Sequence, residues 1–232
     1  MTNPASNHGI AGSGWRENWR LAAVEFGVVV ALYVADVYRL VPVSKTLFLF
    51  ALGWMSLRLR GIGWASVGLA KPRNWRSAVA LGFLAGVGLL LLELFVSYPL
   101  LTRLTGKPPD LSDFRLIVGN FKLFLVSVVL IWILAVLGEE LVYRGYLMNR
   151  VAGLGGGTPA AWVASLVLVS IVFGAGHIDQ GITGMTENVI NGLLLGLLYL
   201  ACDRNLVAPI IAHGVTNTAD LLLIYLGRYP GL

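Results

Sequence analysis

From Leu123 to Leu137 the chain carries no charged side chain, and it then meets Glu139 and Glu140 side by side. That run and its ending restrict the fold more than any other stretch. About 20 apolar residues cross the hydrocarbon core of a bilayer as a helix, and no other short segment satisfies its own backbone there. An acid at the centre of such a helix costs about 2.5–3.5 kcal/mol on insertion scales, and a second one beside it adds repulsion. Arg144 stands four residues after Glu140 and so on the same helical face. The stretch Gly138-Glu139-Glu140-Leu141-Val142-Tyr143-Arg144-Gly145 therefore reads as a charged station inside a membrane helix.

The rest of the chain agrees. Of 232 residues, 57% are hydrophobic and 12% charged, about half the charged share of a soluble domain. The pattern predicts an all-α, polytopic transmembrane helical bundle of about seven spans, six to eight in all. The spans fall at Leu21–Leu40, Val43–Leu57, Ser77–Leu101, Leu116–Leu137, Ala160–Gly176, Val189–Ala201 and from Pro209 to about Leu226. The helical pattern of the fourth continues through the Glu pair to Arg150. Gly153 to Pro159 is a helix stop, with Thr158-Pro159 opening the next helix. His177–Glu187 reads as a polar loop or re-entrant segment, and Cys202–Asn205 as a tight connection. Three regions follow: a flexible cytoplasmic tail over 1–20, N-terminal transmembrane helices over 21–115 and a C-terminal core over 116–227. Gly82, Gly86 and Gly88 give the third span a surface on which a neighbouring backbone can pack closely.

A net charge of +5 does not imply nucleic acid. The basic residues stand between apolar runs, where they set topology and meet anionic headgroups. The second loop, with Arg58, Arg60, Lys71, Arg73 and Arg76 and no acid, favours a cytoplasmic N-terminus in a bacterial inner or ER-type membrane. The single cysteine, Cys202, excludes an internal disulfide and a thiolate metal cluster. A Cys202 nucleophile is disfavoured, since no histidine is adjacent in sequence and a plain thiol is the commoner case.

Two further polar stations interrupt apolar helices. Phe173 and His177 are four apart, as are His213 and Asn217, so each pair shares a helix face with small residues between. Taken singly, each has a plain structural reading as helix glue or a buried ion pair. Together they place two carboxylates, two histidines and an asparagine in one apolar chain, and intramembrane ionisable groups are functional candidates by default. Glu139, His177 and His213 also match a two-His, one-Glu zinc set, although the chain has no His-Glu-x-x-His. Glu25, Asp36 and Glu93 are expected to pair with basic residues or to lie buried in neutral form. Asn191 shares a face with Glu187 and suits the cavity lining and helix packing equally, and Asp220 falls in phase with the cavity but outside the site.

Glu139-Glu140-x-x-x-Arg144, Phe173-x-x-x-His177 and His213-x-x-x-Asn217, in this order on successive apolar helices, resemble the three motifs of the CPBP (ABI) family. That family comprises CAAX prenyl endopeptidases of type II and bacteriocin-processing or immunity proteins. The resemblance covers about Leu116–Leu226. It implies a glutamate-dependent intramembrane protease without metal or other cofactor, acting on a membrane-associated peptide or protein. Glu139 is then the general base, with His177 holding the water. His213 and Asn217 donate to the oxyanion, and Glu140, Arg144 and Phe173 support them. The alternative is a non-catalytic membrane protein that binds a peptide partner, as immunity requires; a small transporter is disfavoured because no pair of broken-helix repeats is visible.

Overall fold

The computed structural model describes residues 19–232, and every regular element among them is helical. The tail expected over 1–20, with His8, lies outside the described residues except for Trp19 and Arg20, which begin the first helix. The helices are α1 (Trp19–Val37), α2 (Lys45–Arg60), α3 (Trp75–Leu92), α4 (Tyr98–Thr105) and α5 (Phe121–Leu130). After them come α6 (Asn149–Leu154), α7 (Pro159–Ala175), α8 (Gly181–Ala201) and α9 (Val207–Tyr225). Wide π-type turns join α3 to α4 over Glu93–Ser97 and α5 to α6 over Ile131–Met148, so each pair forms one long rod.

Local chemistry sets the helix starts. Asn74, Asn120 and Thr158 each accept a hydrogen bond from a backbone N–H three residues on, at 3.1–3.2 Å, capping α3, α5 and α7. Pro159 occupies the first turn of α7, where its missing N–H costs nothing. The α8–α9 connection is tight, with Asp203 and Arg204 in the left-handed region and the Arg204 amide bonded to the Tyr199 carbonyl at 2.9 Å.

Among the described residues three rods are long and apolar enough to cross a membrane: Trp75–Thr105, Phe121–Leu154 and Val207–Tyr225. The pair Pro159–Ala175 and Ile178–Ala201, bent by 62°, forms a fourth crossing if taken as one span. The chain is an integral membrane protein; by length and apolarity alone the described residues supply three or four crossings, so the count of about seven is not confirmed. α2 has 16 residues, roughly 24 Å of helix, short of the hydrocarbon thickness. α1 carries Arg20, Glu25 and Asp36 within 19 residues. The expected loop at His177–Glu187 is only a short turn, because α8 already begins at Gly181.

The long rod of α5 changes character along its length. None of Phe121–Leu130 is buried, as befits a face against lipid chains. Beyond Val136 the same rod enters the protein core, where Leu141, Val142, Tyr143, Tyr146, Leu147 and Met148 pack with Leu49, Leu57, Leu166, Val169, Phe173 and Tyr199. Glu139 and Glu140 stand at that change. α3 lies along α9. A Cβ at Gly82 would come within 2.8 Å of the Ala208 carbonyl and one at Gly86 within 2.6 Å of the Ala212 carbonyl. Gly88, expected to share that surface, faces open space.

The basic residues need one correction as topology markers. Arg60 donates to Glu25 at 2.6 and 3.0 Å, and Arg150 reaches the same carboxylate at 3.0 Å, all three buried. Glu25 thus pairs with basic residues as expected, and Asp36 does so with Lys45 at 2.7 Å. Glu93 instead accepts from the Tyr229 hydroxyl.

Candidate active site

The π-type turns over Ile131–Met148 alter the phase of the Glu pair. Glu140 turns fully inward and is 0% exposed, whereas the Glu139 side chain keeps 14% exposure. At the end of the segment Asn149 donates to the Arg144 and Gly145 carbonyls at 3.0 and 2.9 Å. Those bonds close the junction where wide turns give way to ordinary helix.

Glu140 Oε1 receives two donors. Arg144 Nη1 approaches at 2.7 Å and His213 Nδ1 at 2.9 Å. The guanidinium also donates through Nη2 to the Gly192 carbonyl at 3.2 Å, and its carbon lies 4.8 Å from the centre of the Phe173 ring. One carboxylate therefore ties α9 to the Glu pair's own rod, and Arg144 extends the tie to α8. Since Glu140 accepts at Nδ1, that nitrogen carries the proton, and His213 Nε2 is a donor only when the ring is cationic. Nε2 lies 4.0 Å from Glu139 Oε2.

His177 sits at the break between α7 and α8. Its Nδ1 is 3.0 Å from the Phe173 carbonyl. A carbonyl only accepts, so Nδ1 bears hydrogen and Nε2 of the neutral ring offers a lone pair. Phe173 is 2% exposed and touches the site on every side. Its ring centre lies 4.9 Å from Tyr143, 5.0 Å from His177 and 6.3 Å from His213. Tyr143 in turn meets the Tyr33 hydroxyl at 2.7 Å, and Tyr33 donates to the Val172 carbonyl at 3.0 Å, so α1 steadies the aromatic layer.

Glu139, His177, His213, Asn217 and Phe173 all line one cavity of about 210 Å³. Glu140 and Arg144 lie behind it. Glu139 and His177 also line an adjoining open groove of about 750 Å³, bordered by the α1–α2 connection and by Leu130, Ile131 and Leu134. Glu139 thus stands where an outer groove meets an inner chamber.

The deeper wall of that chamber was not placed in the site by sequence reasoning. Glu93, Glu187, Asn191, Asp220, Tyr98 and Tyr229 line it. Asp220, seven residues after His213, and Asn191, four after Glu187, carried a phase signal; Tyr98 and Tyr229 carried none. Among the described residues no three His, Cys, Asp or Glu side chains are arranged to hold a metal ion. Cys202 is half-buried at the far end of α8. Burial, and then the neighbouring Asp203 carboxylate, push its thiol up from its ordinary value, away from the reactive thiolate.

Residues 121–219 match a family model described as type II CAAX prenyl endopeptidase Rce1-like. The match runs from the start of α5 into α9 and takes in all three polar stations. Over this segment the chain is similar to the Rce1-like family. Neither the curated proteins nor the solved structures hold a match to the chain. The matched segment includes Glu139, Phe173, His177, His213 and Asn217, while α1–α4 lie outside it.

Proposed function

We propose that this Rce1-like chain is an intramembrane endopeptidase that hydrolyses a peptide bond of a membrane-associated peptide or protein. The observation that carries it is the convergence of Glu139, His177, His213 and Asn217 on one cavity, with Glu140 fixing His213 from behind. Glu139 takes a proton from a water that also donates to the His177 Nε2 lone pair, and the hydroxide attacks the scissile carbonyl carbon. Asn217 Nδ2 and cationic His213 Nε2–H stabilise the resulting oxyanion. Glu139 then returns its proton to the departing amine nitrogen as the C–N bond breaks, leaving a carboxylic acid and an amine. Each oxyanion donor of this kind is worth about 2.7–4 kcal/mol. The cytoplasmic placement of the N-terminus and the membrane type belong to the same proposal.

The test is Glu139→Gln, nearly isosteric and unable to act as base. The variant is expected to insert and to purify as the parent does, while cleavage of a membrane-anchored reporter peptide stops. Full cleavage by that variant would overturn the catalytic reading. Retained biological activity with no cleavage by either protein points instead to the peptide-binding alternative. A strong chelator in the same assay is expected to leave the rate unchanged, and a loss reversed by added zinc would overturn metal independence.

A further inference from the structure

The inner chamber carries a cluster of acidic side chains that peptide hydrolysis does not explain. Glu93, Glu187 and Asp220 reach it from the α3–α4 turn, α8 and α9, and Glu139 adds a fourth carboxylate; no lysine or arginine lines it. The polar partners present satisfy only part of this group. Tyr229 donates to Glu93, and Ser97 donates to Glu187 Oε1 at 2.8 Å. Glu187 Oε2, Asp220 Oδ1 and the Tyr98 hydroxyl are buried with no hydrogen-bond partner among the described residues.

The Tyr98 hydroxyl is an independent sign. It belongs to a neutral phenol 4% exposed, so like-charge crowding cannot account for its being left unbonded. Tyr98, Glu93, Glu187 and Asp220 all line the same cavity. A buried polar group left unbonded is costly, and three around one chamber call for an occupant. A metal ion is a poor fit, since no three acidic or histidine groups among the described residues are close enough to share one. A primary ammonium carries three N–H donors and no acceptor, which suits three separated free oxygens.

We infer that the inner chamber is a subsite for a primary ammonium group carried by the substrate, held by Glu187, Asp220 and the Tyr98 hydroxyl. Asp220 follows His213 by two helical turns, roughly 10 Å along α9. An extended peptide covers that distance in about three residues. The ammonium therefore belongs to a lysine side chain, or to a free α-amino group, within about three residues of the bond cleaved. This placement rests on the proteolytic reading; the presence of the ammonium site does not.

The binding test uses the purified full chain in detergent and dansylcadaverine, a fluorescent primary ammonium, with its N-acetyl derivative as neutral control. Saturable binding is expected for the ammonium alone, weakened about tenfold or more in Glu187→Gln and in Asp220→Asn. Tyr98→Phe removes only the free hydroxyl and is expected to weaken binding several-fold while the protein elutes and melts as the parent does. Equal affinity in all variants, saturable binding of the neutral probe, or displacement by manganese(II) would each overturn the proposal. The cleavage arm compares an N-acetylated lysine peptide, its norleucine counterpart, and the norleucine peptide with a free N-terminus. Preference for the first places the ammonium on a side chain, and preference for the third places it on the α-amino group. Equal cleavage of the second overturns the subsite's role in substrate choice. Probe binding with no cleavage of any peptide means that the proteolytic reading has failed while the ammonium site stands.

Discussion

Glu140 Oε1 is shared by Arg144 and His213, at 2.7 and 2.9 Å, in a position with no solvent exposure. The carboxylate is thus more than the partner of an i,i+4 ion pair, because it also fixes which nitrogen of His213 is presented to the cavity. Replacing Glu140 by Gln puts beside Nδ1 an amide that can donate as well as accept, so the ring's tautomer is no longer fixed. We expect turnover to fall about 100-fold or more, the scale of losing one oxyanion donor, with most of the loss in kcat. Steady-state kinetics on a reporter peptide check this, and an unchanged kcat would show that His213 does not depend on Glu140.

Arg144→Ala is expected to act mainly on stability. It leaves the Glu140 carboxylate buried without its cation, and breaking one side of a buried pair costs about 3–5 kcal/mol. Arg144→Lys keeps the charge but loses the fork that joins Glu140 to the Gly192 carbonyl, so an intermediate loss is expected. Thermal unfolding in detergent, read by tryptophan fluorescence, should rank parent, Lys and Ala in that order.

A second buried ion group offers an internal contrast. Glu25 holds both Arg60 and Arg150 and is itself buried, while the Asp36–Lys45 pair has side chains 32% and 17% exposed. Glu25→Gln strands two guanidiniums from their carboxylate and is expected to cost about 3–5 kcal/mol. Asp36→Asn removes a partly solvated pair, worth about 0–1 kcal/mol. Equal effects on the melting temperature would mean that the inner pair is better solvated than its burial indicates.

The three stations were legible in the sequence because helical spacing of polar residues survives in an apolar chain. Glu140 with Arg144, and His213 with Asn217, needed only the four-residue period. The all-helical membrane fold followed from uncharged runs such as Leu123–Leu137. The span count was less legible, because α1 carries three charges and α2 is short, so length and apolarity alone do not mark them as spans. The inner chamber stayed hidden for a different reason. Glu93, Tyr98, Glu187 and Tyr229 come together only through the packing of α3, α4, α8 and the C-terminal turn, and no local period records such a meeting.

Cys202 provides a negative control. Its thiol is pushed up by burial and by Asp203, so little of it is thiolate near neutrality, and it sits outside the cavity lining. Cys202→Ser is expected to leave the cleavage rate within about twofold of the parent, as surface changes of up to about 0.5 kcal/mol allow. Inactivation of the parent by a maleimide, with the serine variant resistant, would contradict this.

The approach of α3 to α9 yields the sharpest paired test. A Cβ at Gly86 would sit 2.6 Å from the Ala212 carbonyl and 2.8 Å from the Val215 Cβ, one residue before His213 and two after it. Backbone cannot give way as a flexible side chain can, so Gly86→Ala must move α9 and His213 with it. A shift of about 1 Å in a catalytic group costs on the order of 100-fold. Gly88→Ala, two residues on, meets nothing within 4 Å and gains helix propensity of about 1 kcal/mol. We expect Gly86→Ala to lose cleavage while still inserting, and Gly88→Ala to cleave normally and melt no lower than the parent. If both variants behave alike, close contact between α3 and α9 is not what positions His213.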